Sequence, residues 1–200
     1  MIRVKVCGIV NAEDAAAAVL AGADAIGVNF HRASPRYVGN ALREIVDAVP
    51  PFLPVIGVFV DPAPEEVGLA LPYLDAVQWH GQGAVGAVAL PAWRAIRLRA
   101  EADLDEIARW TDVRGFVLDG PGRMGEFGGA GFDYGWFLEA RRRTSKKLVL
   151  AGGLTPENVA AAIAGVRPDG VDVASGVESA PGKKDWVKIR DFVQAVRDAG

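Results

Sequence analysis

One cysteine, Cys7, stands among 200 residues, at the end of the apolar run that opens the chain. With no second thiol it forms neither an internal disulfide nor a cysteine-based zinc cluster. It is either a small core hydrophobe or a reagent, because an ionised thiol is reactive. Other polar side chains close apolar runs in the same way: Asn29, Gln78 with His80, Arg97, Asp119 and Asp172. Two glycine-rich segments follow near the C-terminus, Ala151-Gly152-Gly153-Leu154 ahead of a Thr155-Pro156 helix start, and Ser175-Gly176-Val177. Backbone N–H groups of such segments can approach an anion, and a helix N-terminus adds its dipole, which suits a phosphate. Gly152, Gly153, Ser175 and Gly176 are therefore candidate phosphate-binding residues. The histidines are His31 and His80. Neither has a partner at metal spacing, so His80 reads as a hydrogen-bonding residue and no metal site is expected.

These groups meet only if the fold gathers the ends of the apolar runs. Residues 2–7 form a β-branched segment closed by Gly8, and residues 12–21 are alanine-rich with Asn11 available as a helix cap. Strand signals recur at 25–30, 55–60, 76–79, 93–98, 115–118, 148–150 and 170–174. Helix signals recur at 40–49, 64–71, 83–90, 101–110, 133–143, 156–164 and 185–196, with glycines weakening the segment 83–90. Eight alternations with no linker or composition break predict an α/β fold, a (βα)8 TIM barrel forming a single domain over residues 1–200. An open doubly wound sheet also alternates, but no segment reads as a convincing edge strand. Barrels of this kind carry their sites on the C-terminal ends of the strands, where the polar residues above fall. Strand alternation points Lys5 inward below Cys7 and turns Val4 and Val6 toward helices. An inward lysine needs an anionic or hydrogen-bonding partner, and Asp172 is a candidate by position.

Composition narrows the partners. Lys plus Arg total 22 against 25 Asp plus Glu, a net charge of −3 that offers no field to hold a polyanion, so nucleic acid is not expected. The longest apolar runs fall short of the roughly 20 residues that span a bilayer, so no membrane association is expected. Arg3 and Lys5 within the first apolar run do not match a secretory signal, and a cytoplasmic location is expected.

Ordered along the chain, Val4-Lys5-Val6-Cys7-Gly8-Ile9, Gly22-Ala23-Asp24, Ser34-Pro35-Arg36-Tyr37-Val38 and Val55-Ile56-Gly57-Val58-Phe59 are followed by Val77-Gln78-Trp79-His80-Gly81 and Asp119. Gly128-Gly129 with Phe132-Asp133, Leu150-Ala151-Gly152-Gly153-Leu154, Val171-Asp172-Val173-Ala174-Ser175-Gly176-Val177-Glu178 and Pro181-Gly182-Lys183-Lys184-Asp185 complete the series. In this order and spacing the chain resembles, from end to end, the phosphoribosylanthranilate isomerases of tryptophan biosynthesis. The resemblance implies an Amadori rearrangement of N-(5′-phosphoribosyl)anthranilate to 1-(2-carboxyphenylamino)-1-deoxyribulose 5-phosphate. One acid and one base suffice for this reaction, so no cofactor is implied. The family's general base maps onto Cys7 and its general acid onto Asp119; Arg36 matches the arginine that binds the anthranilate carboxylate. Gln78, His80 and Asp172 complete the expected substrate-binding set. The partner implied is the small-molecule phosphosugar-anthranilate substrate, with the chain a monomer or a homodimer. For the pair to work, Cys7 must reach the thiolate and Asp119 must hold a proton near neutrality, which predicts a bell-shaped rate profile.

The chain also departs from the family pattern. Many relatives carry Gly-Gly-Thr-Gly and two further residues before Phe-Asp-Trp, whereas here Ala130 replaces the threonine and the two residues are absent. This shortens a glycine-rich loop that reads as a mobile lid. Asn29 and Trp79 stand where apolar residue and leucine are usual, and both are expected to alter the pocket lining. Two other readings stay open at this stage. One is another phosphosugar barrel enzyme, such as the histidine-pathway isomerase with its pair of aspartates, which Cys7 disfavours. The other is a binding or regulatory subunit, which would be expected to lose its acid or base.

Overall fold

In the computed structural model, which describes residues 1–81, 83, 88–120 and 134–200, eight parallel strands close into a barrel in chain order. They are β1 (Arg3–Cys7), β2 (Ala25–Asn29), β3 (Val55–Val60), β4 (Ala76–His80), β5 (Ala92–Arg97), β6 (Gly115–Asp119), β7 (Lys147–Ala151) and β8 (Gly170–Val173). The β1–β8 pairing closes the ring and sets Lys5 beside Asp172. Outside lie α1 (Ala12–Ala21), α2 (Leu42–Asp47), α3 (Pro64–Ala70), α4 (Glu106–Arg109), α5 (Tyr134–Arg143), α6 (Val159–Val166) and α7 (Trp186–Ala199). The β-branched segments became strands because both faces are buried, one against the barrel interior and one against helices. Val4, Val6, Ile26, Phe116, Leu148 and Val171 fill the layer between strands and helices.

Several elements differ from the sequence expectation. Of the segment 83–90, Gly83 and residues 88–90 are not helical, and the rest lies outside the described residues. Gly83 and Gly86 weigh against a helix in this segment, at roughly 1 kcal/mol each relative to alanine. Residues 101–110 split into a 3-10 turn at Glu101–Asp105 and the single-turn α4. The helix expected from residue 156 begins at Val159, because Asn158 accepts the Thr155 N–H and gives its own amide N–H to the Gly153 carbonyl. An unforeseen antiparallel hairpin, β9 (Glu178–Ala180) with β10 (Lys183–Lys184), follows a 3-10 turn at Ser175–Val177. The Asn11 cap is as expected, its side chain accepting the Asp14 N–H at 2.7 Å. The shortened loop with Ala130 lies outside the described residues.

The N-terminal end of the barrel is held by a repeated clamp. The aspartate just before an even-numbered strand accepts the backbone N–H of a residue at the start of the preceding strand and returns its own N–H to that residue's carbonyl. Asp24 does so with Val4, Asp75 with Val55 and Asp169 with Leu148, the carboxylate contacts being 2.8, 2.9 and 2.9 Å. The fourth pair keeps only the backbone half, Arg114 N–H to the Ala92 carbonyl. Each clamp ties strand to strand across an intervening helix, so the barrel is built as four linked pairs.

Asp169 also receives Arg141 at 2.7 Å and Lys147 at 2.8 Å. Burial opposes its charge, but the Leu148 N–H and these cations hold its carboxyl down at about 2. A carboxylate depressed in the folded state stabilises fully above its unfolded value near 4 and ceases to do so as pH falls through about 2. Asp169→Ala is expected to cost about 1–2 kcal/mol at neutral pH, the ion pairs being partly in solvent. In urea denaturation the gap to the parent chain should narrow between pH ~4 and ~2.

Candidate active site

The opposite end of the barrel opens into a cavity of about 700 Å³, within the range of small-molecule sites. Because side chains alternate along a strand, the residues that close the strands share this mouth. Cys7, Asn29, Gln78, His80, Arg97, Asp119 and Asp172 all line it, as do Arg36, Gly152, Gly153 and Ser175. The sequence-predicted groups are thus brought together, with two exceptions. Gly176 lies behind the rim, where its bare Cα packs against the Leu154 carbonyl. Trp79, expected in the lining, points the other way from Gln78 and His80 and packs on Phe59 with ring centroids 5.4 Å apart.

At the floor, Lys5 gives its ammonium to Asp172 at 2.9 Å and to the Gln78 carbonyl oxygen at 3.0 Å. Its partner is therefore the residue expected by position, with Gln78 as a second. Burial works against the ammonium, but the charges of Asp172 and Cys7 outweigh it and raise the lysine above its ordinary range. A lysine has no acceptor, so Gln78 must present oxygen to it and its amide nitrogen to His80, 3.0 Å from Nε2. His80 Nε2 is then an acceptor and the ring proton resides on Nδ1. Burial first, and then the cations Lys5, Arg94 and Arg97, press His80 down to about 4, so it is neutral at physiological pH.

Cys7 and Asp119 sit across this floor in different fields. Burial pushes the Cys7 thiol up; Lys5 and Lys184 favour the thiolate, while Asp172 opposes it. Asp119 is raised to about 6, chiefly by burial, with Arg97 acting against the rise and Asp172 adding to it. Arg97 stands beside Asp119 in the β5–β6 register. Gly152, at φ +87°, sets its bare Cα against the Asp119 carboxyl, and a Cβ there would lie 2.5 Å from Oδ1.

Arg36 comes from the loop after β2. Asn29 organises that loop: its Oδ1 accepts the His31 N–H, and its amide reaches Ser34 Oγ, which accepts the Arg36 N–H. The polar residue that departs from the family pattern thus orders the loop as well as lining the mouth. Gly8, at φ +73°, leaves room for the Arg36 stem; a Cβ there would meet Cδ at 2.5 Å. The guanidinium is held by Glu178 through Nε and Nη2, both at 2.7 Å, leaving Nη1 for a ligand. Glu178 and Lys184 carry no role from sequence. The fold buries both long charged side chains after the last barrel strand, which their local sequence does not signal. Among the described residues no group of three or more His, Cys, Asp and Glu side chains could hold a metal ion. No helix there is long and apolar enough to cross a membrane.

Comparison with known proteins places the chain in a family. Residues 4–195 match the family model described as N-(5′-phosphoribosyl)anthranilate (PRA) isomerase. The chain is 43% identical to the N-(5′-phosphoribosyl)anthranilate isomerase of Pelobacter propionicus, over 99% of this chain and 97% of that one. A crystal structure of a phosphoribosylanthranilate isomerase in complex with reduced 1-(o-carboxyphenylamino)-1-deoxyribulose 5-phosphate superposes with a TM-score of 0.87 at 38% identity, covering 99% of this chain and 100% of that one. Monomers of the dimeric enzyme from Thermotoga maritima match with the same TM-score at 37% identity and the same coverage.

The Lys5–Asp172 pair is expected to behave as a unit. Lys5→Met strands a buried carboxylate and should cost about 3 kcal/mol, whereas Lys5→Met with Asp172→Leu should recover most of that loss. Urea denaturation of the two single variants and the double variant checks this; additive losses would contradict it.

Proposed function

The chain belongs to the N-(5′-phosphoribosyl)anthranilate isomerase family of tryptophan biosynthesis, and from that membership we propose how its own residues divide the reaction. Asp119, as general acid, protonates the furanose ring oxygen of N-(5′-phosphoribosyl)anthranilate while the C1′–O bond breaks and the anilino nitrogen forms the imine. Cys7, as thiolate, removes the C2′ proton, and that electron pair becomes the C1′–C2′ double bond of the enolamine. Tautomerisation to the C2′ ketone gives the deoxyribulose phosphate, with no net change of oxidation state. Arg36 offers Nη1 to the anthranilate carboxylate. Gly152, Gly153 and Ser175 supply backbone donors for the phosphate at the ends of β7 and β8, the usual phosphate site of this fold, with Gly176 packed behind them against the Leu154 carbonyl. Asp172 and Gln78 serve the site through Lys5 and His80, and His80 offers an Nδ1–H to a substrate oxygen.

The observation that carries this reading is the pairing of a raised carboxyl, Asp119 at about 6, with a thiol of like burial in one mouth. The raised Asp119 matches what an acid near neutrality needs. The thiol is raised as well, so the working form, thiolate with protonated carboxyl, is a minority of the free enzyme at every pH. The product of the two fractions rises until about pH 6, stays level, and falls only beyond the thiol's ordinary range.

A lone unpaired Cys7 that must remain reduced supports a cytoplasmic site of action. For the assembly, the reading is a homodimer. Phe52, fully exposed at φ +74°, and the exposed Met1 rim a second cavity of about 820 Å³ at the N-terminal end of the barrel, away from the mouth. A bulky apolar residue left in water is costly alone, and insertion into a second copy removes that exposure. Sedimentation should show a dimer that Phe52→Glu converts to a monomer; a parent chain that sediments as a monomer at micromolar concentration would exclude it.

For the acid and base, phosphoribosylanthranilate generated in situ and followed by loss of its fluorescence should show Cys7→Ala and Asp119→Asn each down at least ~100-fold in kcat. The kcat/KM profile of the parent chain should level off from about pH 6. An active Cys7→Ala would assign the base elsewhere.

A further inference from the structure

The hairpin of β9 and β10 carries two buried charges that the acid–base reading leaves unused. The Lys184 side chain is fully enclosed and that of Glu178 nearly so. Lys184 donates to Glu178 Oε1 at 2.9 Å and to the Ala174 carbonyl at 3.1 Å, on the turn that follows β8. Glu178 is already satisfied by the two-pronged Arg36 contact. A methionine of similar length would fill the lysine's space without the desolvation cost of an enclosed ammonium, so packing alone gives no reason for the charge.

The reason lies in what faces Cys7. Lys5 comes from its own strand, Asp172 from β8, Lys184 from β10 and Arg36 from the loop after β2. Across the mouth His80 is neutral, and Asp119, which burial and the Asp172 charge push up, stands beside the Arg97 cation in the β5–β6 register. Counting Glu178, which binds both Arg36 and Lys184, the cluster holds Lys5, Arg36 and Lys184 against Asp172 and Glu178. One positive charge is uncompensated while the thiol is protonated and is compensated when Cys7 becomes thiolate.

We propose that Lys184 is a positioning residue for Cys7, an enclosed cation whose charge the thiolate balances, and that Glu178 holds this cation and the Arg36 guanidinium with one carboxylate. The hairpin thereby ties the ionisation of the base to the placement of the group that meets the substrate carboxylate. Burial drives Lys184 toward its neutral form, and Glu178, together with the Cys7 thiolate, supports the charge. Lys184 never touches substrate in this account; it acts through the thiol. The inference rests on Cys7 being the base, but its test reads ionisation rather than turnover.

Cys7 is the chain's only cysteine, so iodoacetamide reports one thiol, and the pH midpoint of its alkylation is the thiol's own titration. Lys184→Met should move that midpoint up by about one unit, and Asp172→Asn should move it down. In Lys184→Met the level part of the kcat/KM profile should fall about tenfold while its alkaline limb moves up with the alkylation midpoint. A merely structural lysine would lower thermal stability and leave both limbs in place, and an unmoved midpoint in folded Lys184→Met overturns the proposal. Should Lys184→Met not fold, the reciprocal measurement decides: in Cys7→Ala the Lys184 ammonium, followed by NMR of its ε-carbon, must titrate at lower pH than in the parent chain, and equal titration overturns the proposal. A shifted alkylation midpoint alongside an active Cys7→Ala would keep the ion cluster and discard the base.

Discussion

Burying a lysine inside a barrel is permitted only if its charge is met, and the contact between Lys5 and Asp172 is where the mouth of this barrel is organised. Asp172 meets Lys5 because ring closure sets β8 beside β1, so the pair exists only in the closed fold. Lys5 then dictates which end of Gln78 faces it, Gln78 dictates which nitrogen of His80 bears the proton, and the same ammonium lies next to Cys7. Asp172 in turn adds to the burial that raises Asp119. One ion pair thus acts on both reacting groups with opposite signs. Its lysine favours charge on the thiol, and its carboxylate disfavours charge on the acid.

A second cluster, built around Glu178, governs the rim. It fixes the Arg36 guanidinium by two of its nitrogens and leaves the third for substrate, which suits recognition of a planar carboxylate. Both clusters lie at the C-terminal ends of the strands, whereas the aspartate clamps of Asp24, Asp75 and Asp169 lie at the N-terminal ends. Stability and chemistry are therefore placed at opposite ends of the same strands. The carboxylates at one end are satisfied by backbone N–H groups and partly exposed cations. At the other end Asp172 and Glu178 are enclosed by buried cations, and burial raises Asp119.

Strands were legible in the sequence because segments such as 55–60 are β-branched and buried on both faces, a pattern that survives without knowledge of neighbours. The mouth was legible too, since Cys7, Gln78, His80, Asp119 and Asp172 break apolar runs at the strand ends, where barrels of this kind carry their sites. Helices were less so: α4 is one turn long, because packing rather than propensity decides such short pieces. The aspartate clamps have a signal in retrospect, an Asp just before β2, β4 and β8, but their role appears only with strand pairing. Glu178 and Lys184 were hidden for a stronger reason. Glu178 lies 142 residues from Arg36, and nothing local to the hairpin sequence tells a buried carboxylate from a solvated one.

The central claim is that Asp119 keeps its proton up to about pH 6, well above the ordinary carboxylate range, because the mouth buries it and Asp172 faces it. It is tested most directly by titrating the carboxyl carbon itself. In protein labelled with 13C at aspartate, the resonance absent from Asp119→Asn should move with a midpoint of about 6 in the ligand-free enzyme. A midpoint at the ordinary aspartate value near 4 would mean that the mouth does not prepare its acid, and would contradict the account.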